Sequence, residues 1–458
     1  MNILHYSLGF PPYRSGGLTK FCMDLARQQV KDGHQVSMLW AGHYTILGNR
    51  TGIKQHRAQE GILSFEVINP NPVPYDEGIL DTKAFMHKGS KEVYSDFLKN
   101  NAPEVIHIHT LMGLHETLLI AAKELHIRVV FSAHDFFPVC PKVTLFRDGD
   151  VCKSAGTCEE CADCNKSALS LTRIKLLQSG IYRLLKDSPP VKLLRKRHRD
   201  NYLGDKAKVT KKQQKFSRGA AANEGERPAW DGAEQYRVLR KYFAGLLSYA
   251  DVIHFNSCLT RGVYDRYVEF AASKIEVLPI THGQIRDNRE RRSYSDVLRI
   301  TYMGAQSSAK GYYILKAALD EIFRERKIVL NVFFKPAKSE EYIQVHERFS
   351  HGDLKAIFSE TDILAAPSLL YDTFGYTVLE ALSFGVPVLI SANVGAKDIV
   401  PQGCGIIIED ITAEKIAEAI RSLDAGKLKE MNENILSSFN PYTIEDMRGD
   451  IEKKFYGI

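Results

Sequence analysis

The stretch PSLLYDTFGYTVLEALSFGVPVLIS, residues 367–391, reads as the end of one strand, a loop, a helix and a new strand. Asp362-Ile-Leu-Ala-Ala just before it and Pro387-Val-Leu-Ile within it are short apolar runs of the kind buried in parallel sheets. Val378, Leu379 and Leu382 keep helical spacing between them. The loop before the helix therefore lies at the carboxyl edge of a sheet, where open α/β sheets bind ligands. A helix opening there points unpaired backbone N–H groups and a positive dipole end at any phosphate above it. Gly375 lets such a ligand approach the backbone closely. Asp372 in the loop and Glu380 about two turns into the helix are placed to bracket a bound sugar nucleotide by accepting hydrogen bonds from its hydroxyls. A helix cap at Asp372 and a solvated Glu380 would account for the same residues.

Outward from this stretch the alternation of strand and helix continues. Ile3–Tyr6 and Gln35–Leu39 read as strands around a helix Leu18–Asp32 that Gly33 stops, and the paired Gly16 and Gly17 open that helix. Val105–His109, a helix near His115–Leu125, and Val129–Ser132 leading into His134-Asp135 follow. Val252–Phe255 and Ile275–Pro279 then enclose a helix Leu259–Tyr267. A charged stretch from about His282 to Asp296 reads as a linker to a second unit that starts at Leu298. This unit runs strand, Gly304, a helix from Ala309, a strand Ile328–Phe334 and a helix near Asp353–Ser359 before the stretch quoted first. The fold class is α/β, with two Rossmann-like units. Gly304-Ala-Gln-Ser-Ser-Ala-Lys310-Gly311 places glycines, small residues and an ammonium where the second unit's first helix begins, which suits phosphate; a plain surface lysine would suit it too.

Residues 372–385 resemble the nucleotide-sugar-binding signature of family 4 glycosyltransferases, retaining enzymes of the two-domain GT-B fold. That signature has a carboxylate, Phe-Gly, and a second Glu closing a seven-residue gap. Phe374, Gly375, Tyr376, Thr377 and Glu380 fit it, and Asp372 stands where the family usually has Glu. The resemblance implies that Glu380 holds the donor ribose and that the Phe374–Thr377 backbone faces the donor phosphates and sugar. It also implies that Gly16 and Gly17 lie under the phosphates, and that Gly304 and Lys310 contact the diphosphate. Ala305 replaces the Arg the family usually carries after the first Gly. His134 matches the family's cleft histidine near the reacting sugar, with Asp135 as its neighbour or as a base for the acceptor. The donor would be a UDP-, GDP- or ADP-sugar, and the implied chemistry needs no catalytic metal: helix dipoles and Lys310 stabilise the leaving group.

The implied architecture has an N-terminal acceptor-side domain at 1–281, with an insertion at about 140–235. A linker at 282–297 leads to a nucleotide-sugar domain at 298–437, and a C-terminal helix at 438–458 crosses back. The implied activity is transfer to a hydroxyl of a glycan or lipid-linked acceptor, in cell-surface polysaccharide or glycoconjugate synthesis. Two other readings are a degenerate partner of the same fold that lacks turnover, in keeping with Ala305 and Asp372, and a nucleotide-sugar epimerase.

The insertion is Cys-rich and basic, and its Cys-rich part resembles an insertion that some family 4 sequences carry after the His-Asp dipeptide. Cys140, Cys152, Cys158, Cys161 and Cys164 crowd the segment after His134, and Cys152, Cys158, Cys161 and Cys164 are candidate ligands for structural Zn or an Fe–S cluster; plain thiols are the alternative. His107 and His109 share one strand face and read as structural. From Lys166 to Arg218 sixteen Lys and Arg face three Asp, a net of +13 in a chain of net +6. Within that block a basic amphipathic helix is expected near Ser170–Lys186. It suits an anionic membrane surface, and Lys206–Arg227 reads as a loop. Nucleic acid is excluded as a partner by the lack of aromatic interleaving or of a known binding motif.

Length and composition agree with this reading. A chain of 458 residues, 44% hydrophobic and 25% charged, can bury two ordinary cores. No apolar run is long enough to span a bilayer, and the N-terminus MNILHYSLGFPP lacks the plan of a signal peptide. The expected location is cytoplasmic, peripheral at the inner face of the membrane.

Overall fold

The computed structural model describes all residues except 12, 13, 15, 46, 47, 75–77, 154–157, 187, 190–192, 194–231 and 337–339. The expected Lys206–Arg227 loop and most of the basic block lie outside the described residues.

Two separate sheets organise the chain. The first has eight strands in the order Ile275–Val277, Val252–Phe255, Arg128–Ala133, Val105–Ile108, Asn2–Ser7, Gln35–Ala41, Ile62–Ile68 and Gly52–Gln59. All neighbours run parallel except the last pair, a hairpin. Its turn places Glu60 at φ 52° and Gly61 at φ 81°, the left-handed pair that a tight hairpin turn requires. The second sheet is parallel throughout, in the order Ile343–Val345, Ile328–Val332, Leu298–Tyr302, Ile363–Ala366, Val388–Ser391 and Gly405–Ile408. Central strands such as Ile3–Ser7 and Val388–Ser391 are buried throughout, as strands covered by helices on both faces must be.

Both units were readable from apolar runs, but several elements were not. Strand Gly52–Gln59 carries Lys54, Gln55, Arg57 and Gln59 on a largely exposed edge, and so lacks an apolar run. The helix expected from Ala309 begins only at Tyr312, because Gly311 is its N-cap at φ 79°; Lys310 sits in the preceding turn. The single basic helix expected at Ser170–Lys186 is instead two short helices, Leu171–Leu177 and Gly180–Leu185. Ser179 breaks it, because its hydroxyl caps the second helix by accepting from the Tyr182 N–H.

The C-terminal helix Ile444–Ile451 packs on helix Gly17–Lys31, and Arg448 reaches Asp32 at 2.8 Å. Ile444, Met447, Ile451 and Phe455 share one apolar cluster with Ile3, Val105 and Val130 of the first sheet, with Phe21 of helix Gly17–Lys31, and with Val378 and Leu382 of helix Tyr376–Ser383 in the second unit. That common core fixes the carboxyl edges of the two sheets toward each other.

Candidate active site

Three helices open on the space between the sheets: Gly17–Lys31, Tyr312–Ile322 and Tyr376–Ser383. Their N-caps are Gly16, Gly311 and Gly375, with φ of 118°, 79° and 95°, and none has a side-chain cap. Several helices elsewhere begin with Ser90, Ser257, Thr412, Asp424 or Thr443, whose side chains take up a first-turn N–H, while those that begin at His115 and Ala233 also lack a side-chain cap. Glycine caps keep side chains out of the first turns of these three helices; the Tyr312 N–H is taken by the Ser307 carbonyl at 3.2 Å, and the dipoles add positive potential at the cleft.

The glycines are also required sterically. A Cβ on Gly311 would lie 1.8 Å from the Pro367 carbonyl oxygen, and one on Gly304 would lie 2.6 Å from the Tyr302 hydroxyl. That hydroxyl donates to the carbonyls of Ala305 (2.7 Å) and Lys310 (3.1 Å), pinning the turn between the first strand and first helix of the second unit.

A cleft of about 390 Å³ brings together Gly17, His134, Gly304, Lys310, Asp372, Phe374, Gly375, Tyr376 and Thr377. Lys310 Nζ donates to Asp372 Oδ2 at 2.6 Å, with both side chains partly exposed to the cleft. A single cation thus stands at the glycine turn, with the loop carboxylate as its counter-ion. His134 faces the cleft from the first sheet; its ring packs on Phe21 at 4.5 Å between centroids, and Thr373 donates to its carbonyl at 3.1 Å. Burial, with a smaller contribution from His254, pushes its pKa down to about 3, so the imidazole is neutral.

Other expected site residues point elsewhere. Asp135 accepts from the Phe137 N–H at 2.9 Å, and burial raises its carboxyl to about 6 against that hydrogen bond. Glu380 is 4% exposed and turned to two histidines, with Oε1 3.0 Å from His282 Nε2 and 3.4 Å from His351 Nε2. Gly16 acts as the cap of its helix.

Sequence reasoning missed His282, His351, Asn256, Tyr302 and Thr373. Asn256 lines the cleft and is 1% exposed, and its amide nitrogen lacks a hydrogen-bond partner. It follows strand Val252–Phe255 much as His134 follows Arg128–Ala133, and that placement was the available signal. The Thr373 carbonyl accepts from Ser257 (2.8 Å) and Thr260 (3.0 Å), tying the second unit's loop to the first unit.

Comparison with known protein families then decides what kind of site this is. Residues 15–153 match the model of Glycosyltransferase Family 4, and residues 286–436 match that of Glycosyl transferases group 1. The chain belongs to the family 4 glycosyltransferases. Among solved structures it is similar to HepE from Anabaena in complex with UDP and glucose, at 13% identity and TM-score 0.56 over 100% of both chains. Sucrose-phosphate synthase from Thermosynechococcus elongatus aligns at 14% identity and TM-score 0.54, over 99% of this chain and 98% of that one. WaaG, a glycosyltransferase involved in lipopolysaccharide biosynthesis, aligns at 13% and 0.52 over 100% of both. The two Rossmann-like sheets are thus those of the GT-B fold. A comparison with curated protein sequences finds no significant match.

Of the cysteine ligands expected from sequence, Cys152, Cys161 and Cys164 line one small void together with Cys140, and Cys158 is fully buried and hydrogen-bonded to Cys161. Cys158 has a left-handed backbone, φ 61°.

Proposed function

We propose that this glycosyltransferase moves a sugar, with retention of anomeric configuration, from a nucleotide-sugar donor to a hydroxyl of a glycan or lipid-linked acceptor in cell-surface polysaccharide or glycoconjugate synthesis. The observation that carries the reading is the convergence of three uncapped, glycine-led helix N-termini and Lys310 on one cleft. The proposed division of labour gives the acceptor to residues 1–281 and the donor to 298–437, joined by 282–297, with 438–458 closing back on the first unit.

In this reading the donor diphosphate lies between Gly17, the turn at Gly304 and Gly375. Lys310 exchanges Asp372 for a phosphate oxygen, and Asp372, released, accepts from a hydroxyl of the sugar. Glu380 gives up one histidine contact to bind the ribose. The bond from the anomeric carbon to the phosphate oxygen breaks while the acceptor oxygen bonds to the same face. The acceptor proton passes to the departing phosphate. Charge builds on the diphosphate, where Lys310 and the helix N-termini stabilise it. Neutral His134, whose Nε2–H is directed at His109 Nδ1, sits beside the reacting sugar and accepts a hydrogen bond from a sugar hydroxyl at Nδ1 without adding positive charge next to a carbon that becomes cationic. UDP, bound in the structure of the similar HepE, is one donor nucleotide to test first.

The test is release of nucleoside diphosphate from UDP-, GDP- and ADP-sugars, with the product configuration read by proton NMR. The expected result is release from one nucleotide class and an α or β product matching the donor. Ala305 favours a second reading, a catalytically degenerate partner, because the turn carries one cation where a second is usual; donor binding without release would select it. A product still carrying its nucleotide would mark an epimerase.

An anionic membrane surface is the proposed setting, at the cytoplasmic face. Leu176, Ile181, Leu184 and Leu185 are exposed on the two short helices that also carry Arg173, Lys175 and Lys186. Arg183 is committed elsewhere, donating to buried Glu66 at 2.8 Å. Among the described residues no helix is long and apolar enough to cross a membrane. Changing Arg173, Lys175 and Lys186 to Glu should abolish sedimentation with anionic liposomes, each cation contributing about 1 kcal/mol near such a surface. Equal recovery with neutral and anionic liposomes would remove the membrane from the account.

A further inference from the structure

The segment from Cys140 to Asn165 has little apolar core of its own. Its described residues form a hairpin of two-residue strands, Phe146–Arg147 and Asp150–Val151, and a helical turn, Cys161–Cys164. Its backbone is left-handed at Val143 (φ 69°), Leu145 (φ 49°), Asp148 (φ 52°) and Cys158 (φ 61°). Val143 is β-branched, a residue type that rarely adopts this conformation. Short, strained segments of this kind need a staple to stay ordered.

The four cysteines that surround the void are spaced to supply one. Cys140 precedes the hairpin, Cys152 follows it, and Cys161 and Cys164 form a C-x-x-C pair on the helical turn; together they line a space of about 30 Å³. The Cys140 sulfur accepts from two backbone N–H groups, those of Lys142 and Leu145. Such bonds orient the sulfur, which burial otherwise holds as a thiol until a metal displaces its proton. Positive charge is gathered at the same place. Arg240 Nη2 lies 4.0 Å from the Cys161 sulfur, its Nη1 is buried without a partner, and Lys142 and Arg147 both act on Cys164. Arg147 is already paired with Asp148, Glu160 and Asp163, so Arg240 and Lys142 are the cations that would offset the charge of four thiolates around a divalent ion. Nothing in the transferase reading uses any of these groups.

We propose that Cys140, Cys152, Cys161 and Cys164 hold a structural thiolate-bound metal centre, either a zinc ion or an iron–sulfur cluster. For zinc, each thiol would release its proton as it binds, giving a tetrahedral four-thiolate site. Among the described residues no three of the sulfurs lie within 4.8 Å of one another. A zinc ion would draw them inward, while a cluster would hold them further apart. The centre would fix the loop that leaves Asp135. It would also fix Asn165, whose amide oxygen accepts from the Ile79 N–H at 2.9 Å and whose amide nitrogen donates to the Cys161 carbonyl at 2.8 Å. Cys158 is not a ligand.

The test is elemental analysis and absorption spectroscopy of the full-length protein, purified anaerobically without chelator, for the wild type, Cys140→Ser and Cys158→Ser. The expected wild-type result is about one zinc per chain, or iron with acid-labile sulfide and the visible absorption of a cluster. Cys158→Ser keeps that content and Cys140→Ser loses it. A variant that fails to fold is replaced by counting thiols of the native wild type before and after chelation, where four additional thiols should become reactive. Folded wild-type protein with neither metal, metal retained by Cys140→Ser, or no thiols released by chelation would overturn the proposal.

Discussion

Acidification from pH 7.5 to pH 5.5 is expected to cost this protein several kcal/mol of stability, because five histidines are packed together and held neutral in its first sheet. His5 Nδ1 lies 2.9 Å from His109 Nε2, and His109 Nδ1 lies 3.4 Å from His134 Nε2. His5 Nε2 meets the Gln29 amide oxygen at 2.7 Å, and the Gln29 amide nitrogen donates to the Tyr456 hydroxyl at 3.3 Å. From Tyr456 the chain of bonds runs through His107 (2.8 Å) and Ser132 (2.7 Å) to His254 (2.8 Å), which donates to the Leu278 carbonyl at 2.7 Å. Two neutral imidazoles can share a proton in each such bond, whereas two charged ones cannot.

Burial pushes His5 and His254 down to about 4 and His134 to about 3, and holds His107 and His109 well below the ordinary range. For His5 the Gln29 bond opposes that shift, as the Leu278 carbonyl does for His254; the histidines depress one another. A folded pKa below the unfolded value of about 6.5 gives stability that is fully present above pH 6.5 and lost as pH falls toward the folded pKa. At pH 5.5 the five together have forfeited on the order of several kcal/mol, against a typical total of about 5–15 kcal/mol. Asp135, raised to about 6, works the other way and returns about 1 kcal/mol over the same interval. The melting temperature should therefore fall by on the order of 10 °C between pH 7.5 and 5.5. A midpoint constant across that range would contradict a neutral, buried cluster.

Loss of Lys310 should have the largest effect on turnover. It is the only Lys or Arg side chain among the described residues lining the cleft, and its ammonium already stands at the glycine turn, 2.6 Å from Asp372. With Ala305 beside it, no second Lys or Arg among the described residues lines the cleft to share the developing charge. Removing one preorganised stabilising group of this type costs about 10²–10³-fold in rate. Lys310→Ala should lower kcat/KM for the donor by at least that range. Because the side chain is partly exposed and its partner Asp372 can turn to water, stability should change little. A steady-state comparison with Lys310→Arg separates charge from geometry: Arg restores part of the rate if charge is what matters.

The sequence was most informative where one residue type has one physical use. Gly16, Gly304, Gly311 and Gly375 mark places where a helix opens or two backbones nearly touch, and Val388-Leu-Ile could hardly be anything but a buried strand. Edge strand Gly52–Gln59 carried no apolar signal, so the hairpin stayed hidden. Glu380 was visible as a motif position, but its partners His282 and His351 lie 98 and 29 residues away, and no spacing rule connects them. The histidine cluster was legible only as His107 and His109 on one strand; His5, His134 and His254 join it through strand order, which no local pattern encodes. That Cys140 lines the same void as Cys152, Cys161 and Cys164 depends on a loop that the fold turns back on itself, which no spacing encodes.

Calorimetric titration of UDP-, GDP- and ADP-sugars into the wild type and Lys310→Ala, at pH 7.5 where the histidine cluster is neutral, tests the donor site most directly. One nucleotide class binding the wild type at a single site, with affinity lost or much reduced in Lys310→Ala, is the predicted result. No binding of any class, or equal affinity in the two proteins, would contradict it.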